Sequence, residues 1–159
     1  MSQPVAVRSP VSRIDVHVEV GDSLLAASDD PFFLGLAGPS GREFRLLLAK
    51  GKSLRRKAHD HYVLAGAGEP DANVKFPELN DPTSPPLDLQ AIAGVYLRKG
   101  QDPIPNVRAV GEMDDRLEIV NAEVVIHGAE DTARFGRVGP IWLGLNAGLR
   151  IDLARLDPA

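Results

Sequence analysis

Between residues 12 and 20 the sequence SRIDVHVEV alternates: Ile14, Val16, Val18 and Val20 fall on one side of an extended chain, Asp15, His17 and Glu19 on the other. A period of two is the pattern of a half-buried antiparallel strand. The runs FFLGLAG (32–38) and EFRLLLA (43–49) are separated by PSGR, and a turn between two apolar runs of strand length predicts a β-hairpin. HYVLAG (61–66), QAIAGVYLRKG (90–100) and DRLEIVNAEVVIHG (115–128) continue the series, the last as the longest clear β segment. Toward the end, ARFGRVGPIWLGL reads as a turn-bounded connection and LRIDLARL as a closing strand. Period alone does not separate strand from helical turn in so short a stretch. About eight strands at this spacing predict an all-β fold, an antiparallel β-sandwich of two packed four-stranded sheets.

Composition agrees with that pattern. The 159 residues fit one domain, with residues 1–11 as an N-terminal arm and 66–89 as a long Pro-rich loop. Fifteen glycines and thirteen prolines favour short strands joined by turns over long helices. Cysteine is absent, which excludes disulfides, thiolate metal sites and a cysteine nucleophile. A formal charge of −4 gives no reason to expect a nucleic-acid partner. No apolar block has the length of a signal peptide or a membrane span, so a cytoplasmic location is the default expectation, with peripheral membrane association compatible with it.

Three constellations carry candidate chemistry. Asp22, Asp29 and Asp30 lie in one loop between strands, and Asp114 and Asp115 open a later strand. Two acidic loops meeting at one end of a sandwich could cage Ca²⁺, which takes six to eight oxygen ligands. The same residues are also ordinary turn formers, because Asp bonds nearby backbone groups, and the spacing is not that of an EF-hand. His59 and His61 share a face if extended, a geometry open to a metal but equally ordinary on an exposed strand. Lys50, Lys52, Arg55, Arg56 and Lys57 form a basic connection, with Arg98 and Lys99 as possible neighbours in space. Such a cluster suits an anionic lipid surface, or it is a solvated loop facing the acidic excess. No aromatic is interleaved, unlike a single-strand nucleic-acid groove. GPSGR is not a nucleophile elbow and no phosphate loop occurs, so no catalytic residue is assigned and no enzyme is expected. Phe32, Phe33, Tyr96 and Trp142 read as core.

Taken in order, the segments resemble PLAT (lipoxygenase-homology) β-sandwich domains, a family that includes the C-terminal domain of clostridial alpha-toxin. VHVEVGDSLLAASDDPFFLGLAG has the layout of that family's first strand, Gly-Asp loop and Gly-Thr-Asp step, with Ala27-Ser28-Asp29 at the step. PSGREFRL, AHDHYVL, LQAIAGVYLRKG, DDRLEIVNAEVVIHG and PIWLGLNAGLRIDL follow in the family's order, over about residues 12–154. Three features depart from it: Leu117 stands where a Trp is frequent, residues 66–89 resemble an insertion, and Ala-Ser replaces Gly-Thr. The resemblance implies a non-catalytic module that engages a membrane surface or a protein partner, with Ca²⁺ held by Asp29 and Asp30 assisted by Asp22, Asp114 or Asp115. The alternative is a protein–protein interaction or scaffold domain that binds neither metal nor lipid.

Overall fold

The computed structural model describes residues 7–22, 30–100, 116–144 and 148–156. Eight strands follow one another: β1 (Arg13–Val20), β2 (Phe32–Ala37), β3 (Arg42–Arg45), β4 (His59–Ala65), β5 (Gly94–Lys99), β6 (Leu117–His127), β7 (Thr132–Leu143) and β8 (Arg150–Arg155). All pairings are antiparallel, and the spatial order is β3-β2-β5-β8-β7-β6-β1-β4. Among the described residues there is no α-helix, only a 3₁₀ turn at Leu89–Ala91.

The expectation of two separate four-stranded sheets is corrected here. β8 pairs with β5 through Arg150–Leu153 and with β7 through Ala154 and Arg155. One strand therefore belongs to both halves, and a single hydrogen-bonded sheet curls over one core, an arrangement consistent with a β-sandwich. The alternation of β1 places Ile14, Val16, Val18 and Val20 inside. They share one apolar cluster with Phe32, Leu34 and Leu36 of β2, Val95 and Leu97 of β5, and Leu117, Ile119, Val124 and Ile126 of β6. Full burial of each such side chain contributes about 1.5–3 kcal/mol, so the period-two pattern of the sequence is also the main source of stability.

Residues 133–145, expected to be a connection, are mostly β7. Gly139-Pro140 gives the stretch its turn-like look, because proline cannot donate to a ladder. The strand absorbs the pair in a bulge: Ile119 faces Ile141 and Asn121 faces Val138, so two residues of β7 stand opposite Val120. Gly139 has φ +110°, a conformation open to glycine, and Val138 beside it is exposed.

The loop over 66–89 has no strand but is closely tied down. Asn73 accepts from the Val63 N–H at 2.8 Å and donates to the His61 carbonyl at 2.7 Å, covering the free edge of β4. Buried Asn80 accepts from the Arg45 N–H at 2.7 Å and donates to the carbonyls of Lys75 and Phe76. Arg42 donates to the carbonyls of Leu79, Asp81 and Ser84. Of the N-terminal arm, residues 9–11 lie against this loop: Pro10 bridges Asp88, and Val11 is buried with its N–H on the Leu87 carbonyl.

Phe33 and Tyr96, expected in the core, instead form the outer face of the β3-β2-β5-β8 half. The Arg98 guanidinium lies 4.3 Å from the Phe33 ring centre, and that of Arg150 lies 3.8 Å from the Tyr96 ring centre. The Tyr96 ring sits over Gly35, where a side chain would collide with it. Tyr96 and Arg98 both donate to Glu43, and the Arg98 hydrogen bonds hold the Glu43 carboxyl below its usual range.

Candidate functional site at one end of the sheet

The ends of β1 and β5, the start of β2 and the connection between β3 and β4 lie together at one end of the molecule. β1 finishes at Val20, and Asp22 follows it, exposed. Asp30 precedes β2, with Pro31 accepting from the Gly100 N–H just past β5. The connection 46–58 folds back beside them: the Lys57 N–H reaches the Gly21 carbonyl, and Val20 donates to Ala58.

The shape of this connection is set by buried polar groups. The Asp60 carboxylate accepts from the Leu54 N–H at 2.6 Å and from the Tyr62 hydroxyl at 3.3 Å. Burial, with the Asp60 charge beside it, pushes the Tyr62 hydroxyl well above its ordinary pKa, so it stays a donor. Ser53 Oγ accepts from the Leu48 N–H. Leu54 and Lys57 adopt left-handed backbone, φ 58° and 62°, which sharpens the two bends. Leu54 is buried, and it anchors the loop so that its cations turn outward.

Those cations differ in their engagement. Arg56 pairs with Asp22 at 2.8 Å and also donates to its carbonyl, and Lys57 lies 3.5 Å from the same carboxylate. Arg55, half-buried, donates to the Ser53 carbonyl. Lys50 and Lys52 are exposed and make no ion pair among the described residues. Lys52 lines a shallow cleft of about 170 Å³ with Asp30, Phe32, Arg45 and Leu54.

Of the five carboxylates expected to hold Ca²⁺, Asp29, Asp114 and Asp115 lie outside the described residues. Asp22 and Asp30 come to the same end of the fold but not to a shared vacancy. Asp22 is covered by Arg56 and Lys57. Asp30 is paired with Lys99, the last residue of β5, whose side chain is 1% exposed. Among the described residues, no group of three or more His, Asp or Glu side chains is placed to hold a metal ion. Arg98 and Lys99, expected as neighbours of the basic cluster, part company: Arg98 points outward onto Glu43, and Lys99 follows Val95 and Leu97 inward.

A second polar assembly occupies the outer face of β4, β1 and β6. All four histidines of the chain, His17, His59, His61 and His127, lie on it. They do not form the His59–His61 metal pair that the spacing allowed. His61 Nε2 is 2.7 Å from Asp15 Oδ1 and His127 Nε2 is 2.9 Å from Asp15 Oδ2, while Arg13 donates to both carboxylate oxygens at 2.9 Å. His17 stacks on His61 with ring centres 4.1 Å apart, and His59 faces Glu19 at 3.8 Å. Burial works to raise the Asp15 pKa, but the hydrogen bonds from Arg13, His61 and His127 outweigh it and hold the carboxyl well below the usual range. Burial, then the charge of His61, lowers His17. From sequence Asp15 was not singled out, His17 and His127 could join the other histidines only through folding, and Lys99 stood only as a possible neighbour of the basic cluster. The available signal was their parity, polar residues at alternate positions of β1 and β6 and a lysine continuing an inward row in β5.

Comparison with solved structures places the fold. The chain superposes on the alpha-toxin of Clostridium absonum with a TM-score of 0.57 at 13% identity, over 93% of this chain and 32% of that one. The alpha-toxin of an avian strain of Clostridium perfringens gives a TM-score of 0.55 at 13% identity, over 98% and 34%. Coral 8R-lipoxygenase, described in terms of calcium activation via a C2-like domain, gives 0.53 at 13% identity, over 91% and 17%. The chain thus spans about a third of each toxin and about a sixth of the lipoxygenase. No protein-family model and no curated protein matches it. The fold is that of PLAT-type sandwiches, as the order of its segments implied.

Proposed function

We propose that this PLAT-like sandwich is a non-catalytic binding module that docks on an anionic membrane surface through the connection between β3 and β4. The observation that carries the reading is the connection itself: Leu54, Ser53 and Asp60 pin it to the core while Lys50 and Lys52 project to solvent without ion pairs among the described residues. A pre-shaped loop loses little conformational entropy on docking. Two lysines near an anionic surface contribute roughly 1 kcal/mol each, a combined partitioning gain on the order of 30-fold. Arg55, Arg56 and Lys57 add a screened field around them.

Co-sedimentation with phosphatidylserine-containing vesicles, against pure phosphatidylcholine, tests the reading. The native protein should bind the anionic vesicles and lose them as salt rises. The Lys50→Glu/Lys52→Glu variant should bind at least tenfold more weakly. Equal affinity for both vesicle types, or an unaffected double variant, refutes it. The reading does not route through calcium. Asp29, Asp30, Asp22, Asp114 and Asp115 remain the carboxylates the resemblance implies for that ion, and the pairing of Asp22 and Asp30 with the chain's own cations argues against a divalent ion at those two.

A second reading, a protein-interaction domain, is favoured by a different observation. An open groove of about 380 Å³ runs over the β7 bulge, lined by Val138, Arg137, Asp152 and Leu156, with Val138 and Leu156 exposed. On that reading the chain ignores vesicles of either composition.

A further inference from the structure

We propose that the loop end of this sandwich is organised by a tethered ammonium, Lys99, in place of a divalent cation, so that the domain is set for binding without calcium. Inner positions of β5 read Val95, Leu97, Lys99: a lysine continues an apolar row into the core. A buried ammonium is tolerated only where a carboxylate and further acceptors meet it. Here the carboxylate is Asp30, itself nearly buried with a side chain 8% exposed, and the Gly100 carbonyl lies 3.4 Å from Nζ. The backbone around the pair is closed by the Gly100 N–H on Pro31 and the Lys99 N–H on Leu149.

The resemblance implies a cation near this loop, and the two implied carboxylates among the described residues, Asp22 and Asp30, do not suit a divalent one. Calcium draws affinity from several unneutralised oxygen ligands. Lys99 already neutralises Asp30, and it is carried covalently by the adjacent strand, so it stays at the carboxylate whatever the ion concentration. A divalent ion there would meet a fixed positive charge in a site with little water to screen it. The exposed Asp22 is paired in the same way, by Arg56 and Lys57. The consequence is functional: the Lys99–Asp30 pair joins the start of β2 to the end of β5 with the chain's own side chain, at a carboxylate that the resemblance assigns to calcium.

The test uses thermal unfolding of the whole chain without lipid, so it stands or falls separately from the membrane reading. The native protein, stripped of metal, should unfold at the same temperature in chelator and in millimolar calcium. Lys99→Met leaves a buried carboxylate without its ammonium and should lower Tm on the order of 10 °C, or prevent folding. Adding Asp30→Asn to Lys99→Met removes the stranded charge and should recover most of the loss, which keeps the test readable if the single variant does not fold. A calcium-dependent rise in the native Tm overturns the proposal. So does a Lys99→Met variant as stable as the native protein, or a double variant no better than the single one.

Discussion

Replacing Asp15 by Asn keeps the shape of the side chain, removes its charge and turns one of its two acceptor oxygens into an NH₂ donor. In the native protein that carboxylate sits on the outer face of β1 with its side chain 10% exposed, and it receives two hydrogen bonds from Arg13 and one each from His61 and His127. A hydrogen bond to a charged group contributes about 1.5–3 kcal/mol. The donors Arg13, His61 and His127 are all more than a third exposed, so solvent screens each contact and the four do not add. We expect Asp15→Asn to cost about 2–4 kcal/mol at neutral pH, a large share of a typical domain's 5–15 kcal/mol. The pH dependence has a definite sign. The folded carboxyl is held below its unfolded value, so its contribution is present in full above the unfolded pKa of about 4 and is lost as pH falls through the lower, folded one. Urea unfolding followed by Trp142 fluorescence, at a series of pH values from neutral to strongly acid, measures both parts. The gap between native protein and variant should be constant at neutral pH and close in acid. A gap under about 1 kcal/mol at neutral pH, well below the expected loss of charge-assisted bonds, or one that does not narrow in acid, refutes the account of Asp15 as the charge that ties β4, β1 and β6 together.

Two further expectations concern packing and the long loop. Gly35→Ala places a methyl 1.9 Å from Tyr96 Cζ, so the ring must leave Gly35, Glu43 and Arg150; a loss of about 1–3 kcal/mol is expected, and it should vanish in a Tyr96→Ala background if the ring is its cause. Asn80→Ala strands the Arg45 N–H and the carbonyls of Lys75 and Phe76, at about 1–3 kcal/mol, and should accelerate proteolytic cleavage within 73–81 while far-UV circular dichroism stays unchanged; unchanged cleavage would show that the side chain does not hold the loop.

How much of this could be read from the chain depended on the range of the interaction. The strands of β1 and β6 were legible because burial of alternate side chains is a local, period-two property: Ile14, Val16 and Val18 in one case, Ala122, Val124 and Ile126 in the other, write it directly into the sequence. The PLAT-like order of segments was legible in another way, as a resemblance in the order and spacing of short motifs over about residues 12–154. β7 was not, since Gly139-Pro140 carries a strong local turn signal that pairing with β6 overrides by bulging. The outward placement of Phe33 and Tyr96 was hidden as well, because an aromatic residue in a strand goes to whichever face its register gives it, and Gly35 opens a seat on the outer one.

The basic and acidic clusters were visible as composition, but not their engagement with each other. Asp30 and Lys99 are 69 residues apart, and Asp15 and His127 are 112 apart. By itself the sequence determined which residues alternate, where the turns fall and which charges are available. Tertiary structure decided that one sheet curls over its core with β8 joining its two halves, that Lys99 turns inward onto Asp30, and that three strands share Asp15. Periodicity is decided by each residue and its near neighbours, whereas the partner of a charge is decided by strand order and register, which only the folded chain possesses.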